Sequence, residues 1–126
     1  MSVNRVIFEC AACGHALTRP VALLPPDQPV KLEDGEPAVP EGYFALSDDE
    51  YWTGSAGCPL INLKDLIGTR HHPDGRRLSG CCGPDGCDGP NLVCECGREV
   101  GTEKSDCWMA HAAVLLPDAV RKHVDQ

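Results

Sequence analysis

Val6-Ile7-Phe8-Glu9-Cys10-Ala11-Ala12-Cys13-Gly14 is the stretch that decides the fold, and Leu92-Val93-Cys94-Glu95-Cys96-Gly97 is its counterpart far along the chain. In each, a short apolar run leads into two cysteines closed by a glycine, as expected where a strand enters a cysteine knuckle. Two thiolates separated by two residues chelate one tetrahedral ion from a tight turn, and the glycine suits a backbone position with positive φ. Amides in such a turn point at the sulfurs and disperse their charge. Eighty residues separate Cys13 from Cys94. An ion shared by Cys10, Cys13, Cys94 and Cys96 therefore ties two distant hairpins together and offsets the closure entropy of a long loop. The reading is one structural zinc on these four residues. The second pair is one residue tighter, which leaves open that Cys81 or Cys82 replaces Cys94 or Cys96.

The rest of the composition agrees with a small domain in need of a staple. The chain has 126 residues, enough for a single domain over 1–126, with thirteen glycines, eleven prolines and only six aromatic side chains. Such a chain builds a modest core. Glu9 and Cys10 interrupt the first apolar run, so no signal-peptide core is present, and no stretch is long and apolar enough to span a bilayer. The expected compartment is the cytoplasm, where thiols stay reduced. Nine cysteines, an odd number, then read as metal-binding or thiol-active rather than as disulfides. Net charge is −8, and residues 27–50 hold eight acids against Lys31 alone. That acidity repels phosphate and disfavours a nucleic-acid partner. The one basic patch, Arg70-His71-His72 with Arg76-Arg77, flanks Pro73-Asp74-Gly75 and reads as a solvated loop tip.

Periodicity and turn signals place strands at 4–9, 42–46, 91–94, 98–104 and 108–116, with a run from 16 to 24 returning against the first strand as a hairpin. Residues 60–67 (LINLKDLI) fit a helix face or a strand. Residues 25–41, acidic and with five prolines, read as an extended or mobile surface loop. Pro117-Asp118 opens a short C-terminal helix over PDAVRKHV. The expected fold is mainly β: a small antiparallel zinc-stapled domain, zinc-ribbon or β-tent-like, with long loops and that terminal helix.

Further chemistry is concentrated between Gly80 and Pro90, where Cys81, Cys82 and Cys87 lie in a glycine-rich frame. Three readings compete: a second metal site completed by Cys107 and His111, a redox-active Cys81-Cys82 pair, or reduced thiols in a packed loop. Cys107 and His111 are four residues apart and align only if that stretch is helical. Cys58 reads as a lone thiol and His15 as a neighbour of the first knuckle. Tyr51, Trp52 and Trp108 serve either the core or a ligand pocket. Phosphate loops, nucleophile elbows and metalloprotease helices are absent from the sequence.

FECAACGHALT together with LVCECGREVGTE resembles the split zinc-knuckle halves of β-tent proteins, among them the Yippee proteins, the cereblon thalidomide-binding domain and methionine sulfoxide reductase B. The resemblance implies two antiparallel sheets pinned by zinc between two distant cysteine turns. For the reductase's nucleophilic strand the nearest match is Ser105-Asp106-Cys107-Trp108-Met109, without that strand's Arg and Asn. The segments GCCG at 80–83 and DGPNLVC at 88–94 also look like those of small bacterial proteins of unassigned function. The expected function is a structural-zinc binding module that recognises a protein or a small ligand. The alternative is a thiol-based redox enzyme or sensor, similar to methionine sulfoxide reductase B, in which zinc is only structural.

Overall fold

The structure of the protein is a computed structural model that describes residues 4–49, 51, 52 and 54–125. Among the described residues the chain forms β1 (Arg5–Cys10), β2 (Val21–Leu23), β3 (Tyr43–Leu46), β4 (Pro59–Ile61), β5 (Thr69–His71), β6 (Leu92–Cys94), β7 (Glu99–Lys104), β8 (Ala112–Leu115) and β9 (Val120–Asp125). All join one sheet in the order β5-β6-β7-β8-β4-β3-β2-β1-β9. The mainly β class agrees with the sequence reading. Neighbours are antiparallel except β2 and β3, which run parallel with Ala22 opposite Tyr43. A parallel pair needs a crossover of roughly a dozen residues or more. Residues 24–42, the proline-rich segment, are that crossover.

This crossover also explains why the middle of the sheet is apolar without alternation. β4 and β8 are buried along their whole length, as expected of strands covered on both faces. On one face Phe44, Ile61, Ala113 and Leu115 join Phe8, Leu17, Val21, Leu92 and Val100 in the main core. On the other, Ala45, Leu60 and Val114 meet Leu24 and Val39 from the two ends of the crossover. The segment is therefore no loose surface loop. Ala38 and Val39 are buried, and its backbone is stitched to residues 109–111: Ala38 N–H donates to the His111 carbonyl at 2.8 Å and His111 N–H to the Glu36 carbonyl at 2.8 Å. Prolines suit an extended path with few donors to satisfy.

Two sequence expectations need correction, and one reading left open between helix and strand is decided. The C-terminal helix is absent: Pro117 and Asp118 are the corners of a turn closed by Ala119 N–H on the Leu116 carbonyl at 3.0 Å, and β9 follows. Proline presets φ equally well for a turn corner and for a first helical turn. The choice is made by β1, whose open edge pairs with β9 over six residues, from Arg5↔Asp125 to Cys10↔Val120. LINLKDLI is likewise no helix. Its start belongs to β4, and Leu63–Asp65 forms a single 3-10 turn in which the Asn62 side chain accepts the Lys64 amide at 2.9 Å. Finally, the basic patch is not all loop, because Thr69–His71 is an edge strand on β6. Its charges are largely matched: His72 and Arg77 contact Glu99 at 2.9 and 3.0 Å, and His71 contacts Glu103 at 3.0 Å.

Sheet order puts five strands between β6 and β1, yet their ends meet because the sheet curls. Residues 16–18 bridge the gap. Leu17 N–H donates to the Phe8 carbonyl at 2.8 Å, and Ile67 N–H donates to the Leu17 carbonyl at 3.0 Å. Gly68 sits against the Ala16 carbonyl so closely that any Cβ would overlap it. Among the described residues no helix is long and apolar enough to cross a membrane.

Candidate metal centre

β1 and β6 each end on a buried cysteine, Cys10 and Cys94. The turns that follow share one design. After Cys10, the Gly14 amide donates to the Cys10 carbonyl at 2.8 Å while Cys10 N–H donates to the His15 carbonyl at 2.9 Å. After Cys94, the Gly97 amide donates to the Cys94 carbonyl at 2.8 Å while Cys94 N–H donates to the Arg98 carbonyl at 2.9 Å. The second turn is the first with one residue removed, and both glycines lie at positive φ, +76° and +92°. The tighter Cys-x-Cys spacing is thus accommodated by a shorter turn. His15 takes part through its carbonyl, with its side chain exposed.

The two turns face each other. Cys10, Cys13, Cys94 and Cys96 place their four sulfurs within 4.8 Å of one another, with Cys10–Cys96 at 3.8 Å and Cys13–Cys94 at 3.5 Å. A tetrahedral ion with metal–sulfur bonds of about 2.3 Å holds its sulfurs about 3.8 Å apart. The group therefore fits a metal ion. Cys81 and Cys82 are elsewhere.

Electrostatics points the same way. Burial raises the Cys10 thiol, but the amides of Cys13 and Ala12 and the thiols of Cys96 and Cys13 outweigh it and bring the group down to about 7. Cys94 moves oppositely. Burial pushes it up to about 12, with the Cys13, Cys96 and Cys10 thiols adding to the rise against the lowering effect of the Cys96 amide. Four thiolates this close do not ionise together unaided, and a cation removes the repulsion.

A second group comprises Cys81, Cys82 and Cys107, all exposed, with sulfurs also within 4.8 Å of one another. The other members of the expected second site do not join it. Cys87 is held apart by its amide on the Asp85 carboxylate at 2.9 Å. His111 Nε2 donates to the Asp106 carbonyl at 3.0 Å, and residues 105–111 are not helical. The aromatic candidates are engaged separately: the Tyr51 hydroxyl donates to the Ala110 carbonyl at 2.6 Å, Trp52 lies under the Lys104 ammonium at 4.3 Å, and Trp108 is an exposed neighbour of Cys107. Cys58 stands alone against the second core cluster, its thiol raised first by burial and then by Asp49.

The residue that sequence reasoning missed is Asp106. Its buried carboxylate accepts the amides of Cys82 and Cys107 on Oδ1 at 2.9 and 2.7 Å, and the Cys81 amide and Trp108 Nε1–H on Oδ2 at 3.0 and 2.8 Å. No local pattern announces this, because the donors come from two segments some 25 residues apart. The Cys82 amide, followed by that of Cys81, holds the Asp106 carboxyl well below the usual carboxylate range. A carboxyl lowered in the folded state adds stability above its unfolded value and loses it as pH falls through the folded one. Asp106→Asn replaces one acceptor oxygen by a donor facing these amides. The expected result at neutral pH is faster hydrogen exchange at Cys81, Cys82 and Cys107 with a lower melting temperature. The gap from wild type should narrow below about pH 4, where free carboxylates protonate. Unchanged exchange at those three amides would remove Asp106 from this role. Comparison with known proteins finds no matching family model, no matching curated protein and no matching solved structure.

Proposed function

We propose that this protein is a zinc-stapled binding module in which one structural zinc on Cys10, Cys13, Cys94 and Cys96 pins the curled sheet. The supporting observation is the meeting of four sulfurs from two distant turns within 4.8 Å. A four-sulfur donor set suits zinc, and a set complete in protein ligands is of the structural kind. When bound, zinc supplies charge neutralisation and a cross-link. The chain's own residues do the rest: the Ala12, Cys13 and Cys96 amides steady the sulfurs, and the two glycines hold the turns. The resemblance to β-tent proteins likewise implies zinc between two distant cysteine turns, there pinning two sheets; a protein or a small ligand is the partner we propose for the module.

A surface for that partner lies where the crossover folds over itself. Leu24, Pro29, Pro37 and Ala38 supply apolar wall, and Lys31, Glu33 and Glu36 supply charge, to a cleft of about 430 Å³. That volume suits a small molecule or a short peptide segment. The thiol-redox alternative finds less support. Cys107, the nearest match to a reductase nucleophile, has its thiol pushed up to about 12, first by the Cys82 side chain and then by burial and Asp106. A nucleophilic cysteine needs the opposite shift.

Native mass spectrometry of protein purified without added metal or chelator tests the reading. At least one zinc is expected, lost in Cys13→Ser, with an intact mass showing nine free thiols. A metal-free protein with disulfide-linked cysteines would overturn it and favour the redox alternative.

A further inference from the structure

We propose that Cys81, Cys82 and Cys107 form a second metal site, distinct from the four-sulfur group, that takes a divalent thiophilic cation of the zinc class and leaves one coordination position open to an exogenous ligand. Three sulfurs within 4.8 Å of one another supply three ligands. All three cysteines are exposed, which leaves an ion held on them within reach of a ligand from solvent. The closed set on the other knuckles has two buried members and two exposed ones.

The site is built rather than accidental. Asp106, 1% exposed, binds the backbone amides of all three cysteines, and with the Trp108 indole it accepts four hydrogen bonds. Those occupy the acceptor positions of a carboxylate, so Asp106 acts as the frame and not as a ligand. The loop reaches this frame because its flanks are glycines. A Cβ on Gly80 would overlap the Gly83 carbonyl, and one on Gly83 would come within 2.7 Å of the Ser105 hydroxyl oxygen and 2.8 Å of its carbonyl oxygen. Backbone bonds fix the loop and tie it to its neighbour: Asp85 N–H on the Ser79 carbonyl at 2.8 Å closes the loop, and Ser105 N–H on the Pro84 carbonyl at 2.8 Å joins the two segments. Glycine, two cysteines and glycine are thus a matched set whose backbone is fixed before any ion arrives. Such preorganisation is what a metal site needs from its surroundings.

Charge selects the ion. Three thiolates with a divalent cation leave a formal charge of about −1, whereas a monovalent cation leaves about −2 beside the Asp106 carboxylate, and like-charge repulsion favours the former. Three protein ligands with one open position is the arrangement of zinc sites that exchange ligands, as opposed to those that only brace a fold. This second ion is therefore the one that meets small molecules.

The test uses the full chain, reduced with a non-chelating phosphine and titrated anaerobically with zinc alone, with bound metal counted by native mass spectrometry. Wild type is expected to reach two zincs per chain, and Cys107→Ser and Cys82→Ser one, each variant keeping the wild-type far-ultraviolet spectrum. Cys87→Ser and His111→Ala should still reach two. Saturation of wild type at one zinc, or two zincs retained by both Cys107→Ser and Cys82→Ser, would overturn the site. Cobalt(II) reads the open position. Imidazole is expected to shift the visible bands of wild type loaded with two cobalts and to leave those of Cys107→Ser unchanged. Bands indifferent to imidazole in both would refute the open position.

Discussion

If the proposed zinc braces the fold, Cys10→Ser is expected to leave the chain unfolded and metal-free at room temperature. A structural zinc contributes about 10–16 kcal/mol of apparent binding free energy, whereas a domain of this kind is stable by only about 5–15 kcal/mol. Losing most of the first term removes an amount comparable with the whole of the second. Serine is a poor replacement because its hydroxyl stays protonated at neutral pH, and Cys10 is fully buried at the end of β1 among Phe8, Cys94 and Val100. The substitution thus leaves an uncoordinated hydroxyl in the main core beside three crowded sulfurs. Far-ultraviolet circular dichroism and metal content check the outcome, with Cys58→Ser, outside both cysteine groups, as the folded control. A Cys10→Ser protein that kept wild-type spectra and a full zinc complement would show that the knuckles do not brace the fold.

Phe8→Ala should give the next largest loss, about 3–5 kcal/mol. Phe8 is 2% exposed and meets Phe44 edge-on, ring centres 5.1 Å apart at 83°. Among the described residues the main core cluster holds no aromatic ring besides these two, so no third ring lines the cavity that truncation leaves. At the usual conversion for a domain of this size, the melting temperature of zinc-loaded protein falls by on the order of 10–20 °C. Phe8→Leu, which keeps most of the volume, should cost about 1–2 kcal/mol. Thermal melts at saturating zinc separate this core loss from metal loss. A fall of only a few degrees in Phe8→Ala would place the weight of the fold on the metal instead of on the hydrophobic core.

How much of this was legible in the sequence depends on how local each feature is. Each cysteine turn is written within five or so residues, as apolar run, thiol pair and glycine, and both were readable together with β1, β3, β6 and β7. β9 was not. Residues 120–125 (VRKHVD) have only two apolar positions and no alternation, the strand exists because β1 offers an open edge more than a hundred residues earlier, and Pro117-Asp118 is ambiguous between turn and helix start. β5 is polar and short, with Arg70 and His71 exposed, so only pairing with β6 reveals it. The crossover is the sharpest case. Its prolines and acids describe a surface loop, and the two buried residues near its far end, Ala38 and Val39, are too few to register as a pattern. Asp106 lies beyond any local reading, because its meaning is carried by amides from the Gly80–Gly83 loop.

The pairing of β1 with β9 has a consequence for how the chain is made. A ribosome adding about 5–20 residues per second needs about 4–16 s to produce the eighty residues between Cys13 and Cys94. Throughout that interval the first cysteine turn has emerged without its partner turn, and one edge of β1 waits longer still for the strand that will cover it. High contact order of this kind makes for slow folding and for aggregation-prone intermediates. The local hairpin of β1 with residues 16–23, followed by Phe44 on β3, can shelter Phe8 in the meantime. Metal capture by the complete knuckle set therefore waits until Cys96 has been made, and if the ion is the zinc proposed above, a cell short of zinc at that moment accumulates chains whose two cysteine turns are unjoined.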